Sequence, residues 1–178
     1  MTNYKIVIPS AGMGNRIGPY SKFFNKALVT IGDKPAIARV IEKFGVDKTF
    51  LIILGYRADQ VKEALCAIFP HINFEFVNVK LFEGLGSGLG WSLLQAKDKL
   101  QCPFIFIPND TVIGKDQIDL DPTLIGNWLG YYKKNDGDGY HYDSFRTVNL
   151  NHEGLVTSIN GKGINNDNLY TGICGVKD

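Results

Sequence analysis

Apolar and polar positions along the chain follow two alternating periods. Tyr4 to Pro9 is a short apolar run rich in Val and Ile, and Thr49 to Leu54 (TFLIIL) and Pro103 to Pro108 (PFIFIP) are two more. Apolar runs of this length predict buried strands. Ile72 to Val79 (INFEFVNV) alternates and predicts a further strand. Between these runs the spacing becomes helical. Pro35 to Phe44 puts Ile37, Val40, Ile41 and Phe44 on one face behind a proline suited to a first turn. Arg57 to Phe69 repeats the pattern with Val61, Ala64, Leu65 and Ile68, and Pro70 ends it. Leu85 to Leu100 opens with glycines and turns helical through Trp91, Leu94 and Leu100. Strand alternating with helix predicts right-handed crossovers and a mainly parallel sheet.

After Pro108 the pattern changes. Asp121 to Lys134 predicts a helix, with Pro122 at its start and Leu124, Trp128, Leu129 and Tyr132 among its apolar positions. Asn135 to Gly139 is a turn cluster. Tyr140 to Leu150 and Leu155 to Ile159 predict strands joined by a turn at Asn151 to Gly154, and Leu169 to Val176 a last short strand. There are no repeats and no low-complexity tails.

The 178 residues suffice for one domain with a substantial core. A net charge of +1 implies no nucleic-acid partner, so basic groups must serve a local anion. Cys66, Cys102 and Cys174 are widely spaced and odd in number. That suits a reducing cytoplasm and small buried side chains, not a disulfide framework or a zinc site. No signal peptide is visible, and no apolar run could span a bilayer. His71, His141 and His152 show no ligand spacing and read as surface or hydrogen-bonded side chains.

The chemistry concentrates between Ile6 and Lys26. The first strand runs into Ser10, Ala11, Gly12, Met13, Gly14 and Asn15, small residues whose backbone N–H groups can form an anion nest. Arg16 adds a planar fork of donors suited to phosphate, and Lys26 adds a compact charge. The simplest ligand for this equipment is a polyphosphate. Gly14 is followed by Asn15 and Arg16, so this is not a P-loop. The dinucleotide register falls on Ile17, and the next strand ends in Leu54, Gly55, Tyr56, Arg57 with no acid for a ribose.

The stretch SAGMGNRIGPYSKFFNKALVTIGDKPAI resembles the signature of the sugar-phosphate nucleotidyltransferases, roughly A-G-x-G-x-R, P-x-T, P-K-x-L and G-K-P-x-I. It carries Gly12, Gly14, Arg16, Pro19, Ser21, Lys26, Leu28, Gly32, Lys34, Pro35 and Ile37. Asn25 stands where the pattern has the proline before the lysine, and Ser21 where it has threonine. The resemblance implies a GT-A-like nucleotide-binding fold, a three-layer α/β/α sandwich with a mainly parallel, mixed sheet. Similar enzymes continue past the last strand and supply a second metal-binding aspartate there. The chain is therefore expected to be one nucleotidyltransferase domain, the N-terminal part of a longer protein.

Weaker echoes place the other roles. Asp110 directly follows a predicted strand, where a carboxylate can hold Mg²⁺ against phosphates, and it resembles the family's metal-binding aspartate. A capping turn aspartate is the competing reading. Pro108 stands where a D-x-D glycosyltransferase motif needs an acid. Glu83 to Gly88, with Ser87, resembles the family's base-binding loop; otherwise Ser87 is a plain N-cap. Gly161-Lys162-Gly163 resembles the E-K-P segment that contacts the acceptor phosphate, with Gly161 in place of the glutamate. Tyr170-Thr171-Gly172 resembles the strand closing the acceptor pocket.

The implied reaction joins an NTP to a phosphomonoester, such as a sugar 1-phosphate, and releases pyrophosphate. Arg16, Lys26 and Asp110 are the catalytic candidates. Phosphocholine-type acceptors, and a non-catalytic nucleotide-binding domain, are the competing readings. An ionised Glu83 accepts hydrogen bonds only, which favours CTP, then GTP, over UTP and dTTP; the competing reading is a Glu83 that points into solvent at the end of its loop.

Overall fold

The computed structural model describes residues 4–111, 113–114, 121–135 and 144–177. The predicted strand residues 140–143, most of the turn cluster (136–139) and His141 lie outside them.

Strand β1 (Lys5–Ser10) leads into two 3₁₀ turns, Asn15–Lys22 and Lys26–Leu28. A small hairpin, β2 (Thr30–Ile31) and β3 (Lys34–Pro35), precedes helix α1 (Ala36–Phe44). Then come β4 (Thr49–Leu54), α2 (Ala58–Ile68), β5 (Asn73–Asn78), α3 (Leu89–Gln95), a 3₁₀ turn Lys97–Lys99 and β6 (Phe104–Phe106). Each predicted element of this half is present, within a few residues at its ends.

The strands form one six-stranded sheet in the order β5-β4-β1-β6-β10-β7, where β7 is Trp128–Lys133 and β10 is Asn168–Val176. β5, β4, β1 and β6 are mutually parallel, and β10 runs antiparallel to both β6 and β7. Strand alternation splits the core. Ile6, Ile8, Phe50, Ile52 and Ile105 face α1 and α2, against Ile37, Val40, Ile41, Val61 and Leu65. Val7, Leu51, Ile53 and Phe106 face the other way, against Leu93, Ala96 and Leu100. Helices therefore cover both faces, giving three layers. Each such apolar side chain stabilises the fold by about 1.5–3 kcal/mol when fully buried.

The expected helix over Asp121 to Lys134 is not formed. It is a single turn, α4 (Pro122–Ile125), capped by the Asp121 side chain on Thr123 N–H, and then β7. Gly126 at φ 91° ends the turn, and the ladder offered by β10 takes the aromatic run WLGYYK into the sheet. Leu124 is left exposed. All three cysteines are free, as expected, but they are not the buried side chains expected: Cys66 is exposed, and Cys102 and Cys174 are half-buried. In α3 the residues used to recognise the helix, Trp91 and Leu94, face solvent, while Ser92 and Leu93 face inward. Strands β8 (Val148–Leu150) and β9 (Val156–Ile159) form a separate hairpin, tied to β10 by a bridge between Thr147 and Leu169.

Candidate active site

β1 and β6 end side by side, and their exits carry the two halves of the site. The loop after β1 supplies Ala11 to Arg16, and the exit of β6 supplies Pro108, Asn109 and Asp110. Lys26, on the second 3₁₀ turn, places its Nζ 2.9 Å from Asp110 Oδ2. Both side chains of the pair are solvent-accessible, at 26% and 55% exposure. An ion pair so exposed contributes little to folding. Its charges remain open to a ligand.

Two adjoining cavities share Gly12, Arg16 and Lys26. The first, about 380 Å³, has apolar walls from Phe82, Leu89, Phe106 and Pro108, with Ser87, Gly88 and Asn109 among its polar and backbone lining. An apolar slot with few polar groups suits a nucleobase and ribose. The second, about 460 Å³, is lined by Gly14, Asn15, Arg16, Ile17, Lys26 and Asp110. Two cations beside glycine-rich backbone suit phosphate.

Of the sequence candidates, Ala11, Gly12, Gly14, Asn15, Arg16, Lys26, Ser87, Gly88 and Asp110 thus converge here. Ser10 is buried, and its Oγ accepts from Asn109 Nδ2 at 3.1 Å, tying the two strand exits together. Met13 and Glu83 line neither cavity; Glu83 is exposed next to Phe82. Ser87 does not cap α3: its hydroxyl donates to Gly84 O at 2.7 Å, and Gly88 holds the cap position. Lys162 is exposed on the β9–β10 connection. Thr171 Oγ1 donates to Gly130 O at 2.9 Å within the β7–β10 irregularity. Gly172, at φ 84°, lies so close to Pro108 that a Cβ would meet its Cγ at 2.9 Å, which brings β10 to the wall of the first cavity. Burial pushes the neighbouring Tyr170 phenol up to about 12, with Cys174 adding to the shift, so the phenol is neutral at working pH.

Sequence reasoning missed Asn25, Phe82 and Asn109. Asn25 is fully buried and makes three hydrogen bonds: Nδ2 to Ser10 O (2.9 Å) and Tyr56 O (2.7 Å), and Oδ1 from Ala27 N–H (2.9 Å). Its one signal was its departure from the family's proline. Phe82 sits between Leu81 and Glu83 with no periodicity to reveal it.

Mg²⁺ typically uses one or two carboxylates, completing its shell with phosphates and water. Asp110 offers one exposed hard-oxygen donor on the wall of the second cavity, and fits that part. Among the described residues no group of three or more acidic, His or Cys side chains could hold a metal unaided.

The strand order and the helix-covered mixed sheet define an α/β fold of the GT-A-like kind. The resemblance to the sugar-phosphate nucleotidyltransferases holds in both sequence and fold. UTP–glucose-1-phosphate uridylyltransferase of Escherichia coli K12 is 30% identical over 146 residues, covering 68% of this chain and 48% of that protein. A UDP-glucose pyrophosphorylase complexed with UDP-glucose matches 98% of this chain and 76% of its own, with a TM-score of 0.74 and 17% identity. The inositol-1-phosphate CTP transferase from T. maritima matches 99% of this chain and 71% of its own, with a TM-score of 0.74 and 15% identity. No family model matches the chain. The chain spans about half the length of the curated relatives it matches.

Proposed function

We propose that this domain is the nucleotidyl-transferring part of an enzyme joining an NTP to a phosphomonoester, in the synthesis of sugar nucleotides or similar compounds. The observation that carries the reading is the convergence of Arg16, Lys26 and Asp110 on one phosphate-sized cavity beside an apolar slot. A phosphate oxygen of the acceptor attacks the α-phosphorus. The bond from that phosphorus to the bridging β-phosphate oxygen breaks, and pyrophosphate leaves with its electron pair. Nothing here needs a covalent enzyme intermediate, so catalysis is positioning and charge stabilisation. Arg16 and the N–H groups of Gly12 to Asn15 hold the leaving pyrophosphate. Lys26 exchanges its contact with Asp110 for a bridge between the α-phosphate and the acceptor phosphate. Asp110 would hold Mg²⁺, which when bound neutralises charge on the phosphates.

The acceptor approaches from the side of β10, where the Gly172–Pro108 contact supports the assignment of Gly172 and its neighbour Thr171; Lys162 is proposed on the resemblance of Gly161-Lys162-Gly163 alone. CTP is the proposed nucleotide, then GTP; this requires Glu83, which stands exposed outside both cavities beside Phe82, to turn inward and accept from the base when the nucleotide binds. The cytoplasm, where NTPs are available, is the proposed location.

The test is a product screen of the full-length protein with Mg²⁺, four NTPs and a panel of sugar and amino-alcohol phosphates, read as pyrophosphate release. Arg16→Ala and Lys26→Ala are each expected to cut turnover about 10²–10³-fold with the fold intact. Nucleotide binding without pyrophosphate release from any pair would leave a non-catalytic nucleotide-binding domain.

A further inference from the structure

The segment that carries Arg16 and leads to Lys26 has little hydrophobic anchorage of its own. No residue of Asn15–Lys22 is buried, and Gly18 breaks the 3₁₀ geometry with φ 68° and ψ −140°. Tyr20 and Phe23 are largely exposed. A segment with so few apolar contacts would open easily if nothing else held it.

What holds it is a comb of donors from the corner between β4 and α2. Tyr56 Oη donates to Ser21 O at 2.7 Å, an Arg57 guanidinium nitrogen donates to Lys22 O, and Gln60 Nε2 donates to Phe23 O at 3.0 Å. Three consecutive carbonyls are thus gripped by three side chains about 35 positions further along the chain. Arg57 Nε also donates to Tyr56 Oη at 3.0 Å, which couples two of the teeth. The grip is returned from the segment itself, because Asn25 Nδ2 donates to Tyr56 O. Arg57 is the non-glycine residue with positive φ (50°) among the described residues. A side chain in that region is disfavoured, and persists where its surroundings impose it. Arg57 makes its bonds to Lys22 and Tyr56 from that backbone conformation.

We propose that Tyr56, Arg57 and Gln60, with Asn25, are positioning residues: a clasp that fixes the Arg16–Lys26 segment so that both cations face the phosphates. None of the four need touch substrate. The proposal rests on the nucleotidyl-transfer reading for its effect on rate, but not for the clasp itself.

Tyr56→Phe removes one donor and one acceptor and keeps the ring. Arg57→Gly removes the guanidinium and suits a positive φ, so folding is not put at risk by strain. In both variants amide exchange over residues 20–26 is expected to rise about tenfold. kcat is expected to fall about tenfold to a hundredfold while KM for the nucleotide changes little, since misplacement of a charge acts mainly on the transition state. Unchanged exchange together with unchanged kcat would overturn the clasp, and so would losses confined to thermal stability. If the unaltered protein releases no pyrophosphate with any NTP and phosphomonoester pair, the functional reading fails separately. The clasp is then judged by amide exchange over residues 20–26 alone: a rise in both variants supports it, and no change overturns it.

Discussion

Gly14 is where the glycine-rich loop after β1 and the Lys26 turn meet. It holds φ 70°, and a Cβ on it would stand 2.8 Å from Lys26 Cβ. Gly14→Ala therefore combines a left-handed backbone with a displaced lysine. The expected outcome is a loss of about 1–2 kcal/mol in urea denaturation from the backbone alone, with turnover falling further than that loss accounts for. A variant of normal turnover would show that Lys26 need not stand where it does. Asp110→Asn is a second test at this scale, since the amide keeps an oxygen for Lys26 and loses the charge. Calorimetric NTP binding is expected to weaken more with Mg²⁺ than without it. Equal weakening in both would reduce Asp110 to the partner of Lys26. Asn25 teaches a related point. From the sequence it is a gap in a motif, but its φ of −70° is the value a proline ring would fix, and its three hydrogen bonds add the restraint that the ring would otherwise supply.

Among the elements, β5 is bound to its surroundings by charge as well as by its ladder. Glu75 lies between Lys5 of β1, at 2.9 Å, and Lys99 of the following 3₁₀ turn, at 3.4 Å. Partial burial pushes its carboxyl up, but the hydrogen bonds and charges of Lys5 and Lys99 outweigh that and hold it below the ordinary carboxylate range. A depressed folded value means that the stabilisation is complete above the unfolded value and is lost as pH falls through the folded one. Glu75→Gln should thus lower stability at pH 7, and the gap to the unaltered protein should narrow below about pH 4. Urea midpoints at both pH values check this, and a constant gap would assign the effect to packing. β1, β4, β5, β6, α1 and α2 were legible in the sequence because each buries a continuous or periodic apolar set, whereas the two-residue strands β2 and β3 bury none and gave no signal. β7 was not, because its aromatic spacing fits a helix until a partner strand 40 residues away is known. The site was legible where glycine, charge and strand exit coincide, at Gly12, Gly14, Arg16, Lys26 and Asp110. It was not legible at Phe82 or in the grip of Arg57 on a distant carbonyl, since neither leaves a local pattern.

For the whole molecule, the two cavities open between segments that are distant in sequence, so an occupant bridges parts of the fold that unfolding would separate. A nucleotide at about 100 times its Kd stabilises the folded state by about 2.7 kcal/mol. Thermal shifts with Mg²⁺ are expected to rank CTP first and GTP second, and Glu83→Gln should blunt the difference. A larger shift with UTP or dTTP would overturn the role given to Glu83. The separate hairpin has a further consequence. β8 and β9 add no strand to the main sheet, and the chain leaves and returns through neighbouring points at Thr147 and Leu169. Such a layout is expected to tolerate exchange as a cassette, provided the buried junction at Thr147, Val148 and Leu169 is kept. Exchanging the stretch between Val148 and Leu169 for that of a relative should leave the nucleotide-induced thermal shift in place while redirecting which phosphomonoester is used. On the nucleotidyl-transfer reading, acceptor choice would then diversify by graft, with the half that carries the β1 and β6 exits kept as a chassis.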